Sequence, residues 1–147
     1  MLKPLEQWIC DVCGDVIEKP EDGCIIWRED KRGVKADFKV IHHIVCDPQG
    51  DYNCWLPLGY FLGEDGVVKL TSWLSAGPVS GLADNRPLVK DFDEFVDLFR
   101  RMQLSYYEEA RPKFRDSEIV DGFSGKREAP YLPDYLRQIA SSGEGRE

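Results

Sequence analysis

The sequence lacks a membrane-spanning stretch: its longest uncharged runs, Leu70 to Ala83 and Cys54 to Gly63, fall short of the roughly 18–20 apolar residues that cross a bilayer. Met1-Leu2-Lys3-Pro4-Leu5-Glu6 offers neither the apolar core of a signal peptide nor a small-residue cleavage site, so a cytoplasmic location is expected. There is no P-loop, no GxGxxG fingerprint and no G-x-S-x-G elbow, which removes the nucleotide-binding and hydrolase classes that carry them. Internal repeats and long low-complexity tracts are missing too. Basic residues are in deficit, with 19 Lys and Arg against 27 Asp and Glu and a formal charge of −8. The deficit lies early, because residues 1–66 hold 13 acids against 7 bases. An acidic surface repels phosphate backbones and anionic headgroups, so neither nucleic acid nor a membrane is the expected partner.

What the sequence does hold is the material of one domain. Its 147 residues are 42% hydrophobic and 12% aromatic, with four Trp, enough to bury a core. Residues 1–54 contain all five cysteines and both histidines. Within them Cys24 to Trp27 is rich in β-formers, and Lys31-Arg32-Gly33 supplies a turn. Ala36 to Val45 then alternates as a second strand, with Phe38, Val40, His42 and Ile44 on one face.

Residues 55–140 read as helical. A short helix is expected over 56–63, and another from Glu64-Asp65-Gly66 carrying Val67, Leu70 and Leu74. Ser75 to Pro87 reads as a loop. Asp91 and Glu94 form a capping-box-like start, with Phe92, Phe95, Val96, Phe99 and Met102 marking one face of the helix that follows. A further helix over 105–111, interrupted near Pro112, leads through a loop at Gly122 and Gly125 to a terminal helix over 133–139. Residues 141–147 have nothing to bury and read as a disordered tail. The expected fold is α+β, an N-terminal β-hairpin packed on a mainly helical C-terminal part.

Five cysteines in a chain expected to be intracellular read as metal ligands or buried thiols rather than as disulfides. Cys10-Asp11-Val12-Cys13-Gly14 is a CxxCG turn, in which two intervening residues let both sulfurs reach one tetrahedral ion and the glycine relaxes the turn. About 30 residues on, His42-His43-Ile44-Val45-Cys46 offers H-x2-C through His43 or H-x3-C through His42. The favoured set is Cys10, Cys13, His43 and Cys46, since the shorter spacing mirrors the first turn; His42, Cys24 and Cys54 are alternates. Three thiolates and an imidazole suit a structural Zn²⁺, because all four positions are filled by protein.

The first 50 residues resemble zinc-ribbon and treble-clef modules on the strength of Cys10, Cys13, the His42/His43 pair and Cys46. Together with Leu62-Gly63-Glu64-Asp65-Gly66 and the run from Tyr106 to Arg111, they resemble a set of small bacterial proteins with no known activity. The modules imply an interaction platform, and the expected partner is another protein. Val40-Ile41-His42-His43-Ile44-Val45, with Gly50 and Asn53 downstream, also resembles the central strand of HNH nucleases, which would make His43 a general base beside an additional metal ion. A third reading is a zinc-containing nucleic-acid-binding regulator using Arg100, Arg101, Arg111 and Lys113. Because Glu108 and Glu109 interrupt that run, the plainer interpretation is a solvated mixed-charge helix face. The reading preferred overall is a non-enzymatic zinc protein working through protein interaction.

Overall fold

The computed structural model describes residues 2–79, 85–116 and 126–142. The fold is α+β. Strands β1 (Trp8–Ile9) and β2 (Val16–Ile17) pair as a small antiparallel ladder. Strands β3 (Gly23–Glu29), β4 (Lys35–His42) and β5 (Cys54–Pro57) form an antiparallel sheet in the order β4-β3-β5. The expected hairpin is thus β3–β4, and Asp30 builds its turn by accepting from the N–H groups of Arg32 and Val34. A bulge falls where Trp27 interrupts the register between Ile26 and Arg28; nearby, Asp37 takes a φ of 59°.

Residues 56–63 do not form the expected short helix. Leu56 and Pro57 extend β5, Leu58–Phe61 make a single 3₁₀ turn, and Leu62 enters the next helix. Pairing with β3 offers these backbone groups ladder partners, from Trp27↔Cys54 to Cys24↔Pro57, that so short a helix with Pro57 in it could not. The sheet therefore runs past residue 54.

Helix α1 (Gly63–Thr71) follows, and then α2 (Phe92–Gln103). Asp91 caps α2 by accepting from the N–H groups of Asp93 and Glu94. The Glu94 carboxylate does not return to the cap residue; it accepts from the Asp37 N–H and so fixes the bulge to the helix. Phe95, Leu98, Arg101 and Met102 form the buried face of α2, whereas Phe92, one residue past the cap, is exposed. Helix α3 (Tyr107–Ala110) continues into a 3₁₀ turn at Arg111–Arg115, where Pro112 is tolerated in the first turn. Helix α4 (Pro133–Ser141) is the last element. The loop expected at Gly122 and Gly125 and nearly all of the tail expected over 141–147 lie outside the described residues.

Two apolar clusters result. The larger joins Trp8, Ile25, Trp27, Val40 and Ile41 from the strands to Phe61, Leu70, Phe95, Leu98 and Met102, so sheet and helices share one core. The smaller gathers Tyr107, Ala110, Leu136, Ile139 and Ala140. Lys113 closes the end of α4 by donating to the carbonyls of Ala140 and Ser142 at 2.6 and 2.7 Å.

Candidate metal centre

Cys10 and Cys13 stand in the tight loop between β1 and β2. The Cys10 N–H donates to the Asp15 carbonyl and the Gly14 N–H to the Cys10 carbonyl, and Gly14 has a φ of 79°, where a side chain would be strained. That curl aims backbone donors at sulfur. The N–H groups of Val12 and Cys13 point at Cys10 Sγ at 3.4 and 3.5 Å, and that of Asp15 at Cys13 Sγ at 3.4 Å. Burial opposes ionisation of Cys10, but these amides and His42 outweigh it and bring its pKa down to about 6.

The other half of the site is made where β4 ends. The ladder with β3 stops at Gly23↔His42, and the chain turns so that the Cys46 N–H returns to the His42 carbonyl at 3.3 Å. Cys13 Sγ lies 3.4 Å and Cys46 Sγ 3.5 Å from His42 Nδ1. All four donor atoms of Cys10, Cys13, His42 and Cys46 fall within 4.8 Å of one another. Zn–S and Zn–N bonds of about 2.3 and 2.0–2.1 Å put neighbouring S and N donors of a tetrahedron about 3.6 Å apart. The imidazole already meets two sulfurs at that spacing, and the four residues could hold a metal ion.

The orientation of His42 suits this role. Its Nε2 lies 3.1 Å from the Val16 carbonyl; donating there leaves Nδ1 unprotonated toward the sulfurs, as a ligating imidazole requires. Electrostatics points the same way. Burial, together with the neighbouring Cys13 and Cys10 thiols, pushes Cys46 up to about 12. Three thiolates therefore cannot share this space without a cation to compensate them.

The structure brings His42, not the favoured His43, to the thiols. The difference lies in strand length: β4 was expected to reach Val45, but its partner β3 begins only at Gly23. The His43 N–H leaves the ladder to donate to the Asp22 carbonyl at 2.9 Å, and its ring packs on Trp55 with centroids 4.8 Å apart. Cys24 and Cys54 stay outside the donor set. Cys24 is buried in β3 opposite Ile41, and burial pushes its thiol up to about 11; Cys54 stands in β5 opposite Trp27.

Other sequence candidates are engaged elsewhere. The Asn53 side chain clamps β3, with Oδ1 accepting from the Glu29 N–H at 2.8 Å and Nδ2 donating to its carbonyl at 2.9 Å. Arg100 lies over the Tyr131 ring at 3.6 Å, Arg111 pairs with Asp97 at 2.7 Å, and Lys113 is on α4. Arg101 is only 3% exposed. Its guanidinium donates to both Glu108 oxygens, to Asp11 and to the Ile9 carbonyl. Asp11, between the two cysteines of the turn, accepts in addition from the Val40 N–H at 2.8 Å.

This network of Asp11, Arg101 and Glu108 carries the metal-bearing turn on the helical body. Sequence reasoning placed Glu108 among the surface carboxylates, yet its Oε1 also accepts from the Ile9 N–H. The spacing of Leu98, Arg101 and Met102 on the buried face of α2 was the available signal.

No protein-family model matches the chain, and comparison with curated proteins and with solved structures gave no match.

Proposed function

We propose that this chain is a zinc protein in which Cys10, Cys13, His42 and Cys46 form one closed structural centre, and that it acts through protein interaction rather than catalysis. The observation that carries the reading is the donor set itself, three sulfurs and His42 Nδ1 converging within 4.8 Å on a turn whose amides point at sulfur. Three soft thiolates with one imidazole in a tetrahedral arrangement select Zn²⁺ over harder divalent ions. Four protein donors leave no position for a water or a substrate, so the ion works through folding energy, on the order of 10 kcal/mol or more in zinc-finger peptides. The ladder β1–β2 has only two residues in each strand and is too small to hold its turn without such a staple.

The engaged side chains weigh against the two alternatives. Asn53 is spent on the backbone of β3, which removes the asparagine that the HNH comparison uses beside His43. The Arg100, Arg101, Arg111 and Lys113 run is tied up inside the molecule, which leaves a regulator without its phosphate contacts.

Elemental analysis of the purified chain tests the reading. The expected result is one zinc per chain, lost in His42→Ala and kept in His43→Ala. Zinc retained by His42→Ala would refute the assignment of the histidine, and a chain free of zinc and folded would refute the centre.

A further inference from the structure

The turn that carries Cys46 is bordered by concave surface on both sides. On one side, Ile26, Ile41, Ile44, His43, Asp47 and Trp55 line a cavity of about 410 Å³ over the outer face of the sheet. On the other, a groove along the metal-binding residues is lined by Asp15, Glu18, Glu21, Asp22 and Val45. The ridge between them is apolar and open, with Ile44 76%, Val45 86% and Trp55 54% exposed. Adjacent side chains of this kind left in water mark a binding surface. None of the five carboxylates around it has a lysine or arginine partner among the described residues. A centre of three thiolates and one divalent ion would add a further negative charge.

We propose that this ridge docks a segment of a partner protein carrying an apolar anchor flanked by lysine or arginine. The anchor fills the cavity beside Trp55 and Ile44, and the basic residues meet Asp47 on one flank and Glu21 and Asp22 on the other. Charge complementarity selects this occupant. A second copy with net charge −8 would bring acid against acid, and a nucleic acid would bring phosphate against the same carboxylates. The inference rests on the structural-metal reading, because the turn from His43 to Cys46 is held at its two ends by ligands of the centre.

The test uses the full zinc-loaded chain and a fluorescein-labelled peptide, GSKLKLKSG, read by anisotropy and by backbone amide shifts. The expected result is binding about tenfold tighter than to GSKSKSKSG or GSELELESG, with shifts confined to residues 43–47, 15–22 and 55. Val45→Ser, and separately Glu21→Lys with Asp22→Lys, should each weaken binding by about tenfold while one zinc per chain is retained. No preference for the basic apolar peptide, or affinity unchanged in both variants, would overturn the proposal. A dimer in sedimentation that Val45→Ser dissociates would also overturn it in favour of a second copy. The two readings fail separately: zinc bound without peptide binding sinks only the docking surface, and peptide bound equally by a folded metal-free chain sinks only the structural role of zinc.

Discussion

Replacing Arg101 with methionine should destabilise the fold far more than the same change at its neighbour Arg100. The Arg101 guanidinium makes four hydrogen bonds in a nearly water-free setting, with Glu108 and Asp11 at 9% and 19% side-chain exposure. Burial works against its charge, but Glu108 and Asp11 outweigh that and hold it more firmly protonated than an ordinary arginine. Methionine conserves much of the stem's packing and removes the charge, leaving two carboxylates facing each other across the gap. Breaking a buried pair from one side costs about 3–5 kcal/mol, a large share of the roughly 5–15 kcal/mol by which a domain is stable. With a urea slope of about 2 kcal/mol/M, the unfolding midpoint followed by Trp fluorescence should fall by about 2 M. At Arg100→Met only the contact over Tyr131 is lost, worth about 1 kcal/mol or less. Adding Glu108→Leu to Arg101→Met should return part of the loss, as residues of one network couple by about 0.5–3 kcal/mol. Equal midpoints for the two arginine variants, or strictly additive losses in the double variant, would refute the reasoning.

Two further outcomes follow from particular contacts. At Gly66 in α1, a Cβ would lie 2.1 Å from the Phe61 carbonyl oxygen, so Gly66→Ala should cost about 3 kcal/mol or more. Gly59→Ala, with nothing within 4 Å, should leave the denaturation midpoint nearly unchanged; equal effects at both positions would be inconsistent with this packing. Burial raises the Asp97 pKa, but hydrogen bonds from Arg111 and Tyr107 outweigh it and hold the carboxyl below its ordinary value of 3.8. A carboxyl depressed in the folded state contributes stability at pH above 3.8 that is lost as pH falls through its lower folded value. Asp97→Asn should therefore be less stable than wild type at pH 6, with the gap narrowing below about pH 4, as read from urea midpoints across pH. A gap that stays constant over that range would show that Asp97 contributes no linked proton.

The first half of the metal centre was legible because a CxxCG turn is local: the spacing, the glycine and the amides that reach sulfur all lie within six consecutive residues, from Cys10 to Asp15. The choice between His42 and His43 was not local. It depends on where β4 loses its partner, and that is fixed by the start of β3 at Gly23, after the 3₁₀ turn at Pro20–Asp22. The same kind of distant pairing turned residues 54–57 into a strand. In α2 the apolar periodicity located the buried face, but an arginine on that face is indistinguishable from a solvated one until its partners, Asp11 and Glu108, are known from elsewhere in the chain. Phe92 shows the converse, since an aromatic residue one step past the cap precedes the stretch where the helix meets the sheet.

The Arg101–Glu108 pair also sits on the seam between the two apolar clusters, with Arg101 on α2 and Glu108 on α3 beside Tyr107 and Ala110. A cluster as small as the second would by itself open independently of the sheet, as a separate foldon. To swing α3 and α4 away, however, the chain must pull apart two buried charges, and that raises the free energy of the partial opening toward that of unfolding the whole. The pair thus acts as a cooperativity latch. Hydrogen exchange of the α4 amides should proceed at nearly the free energy of the β3 amides in wild type, and drop well below it once Arg101 is replaced by methionine.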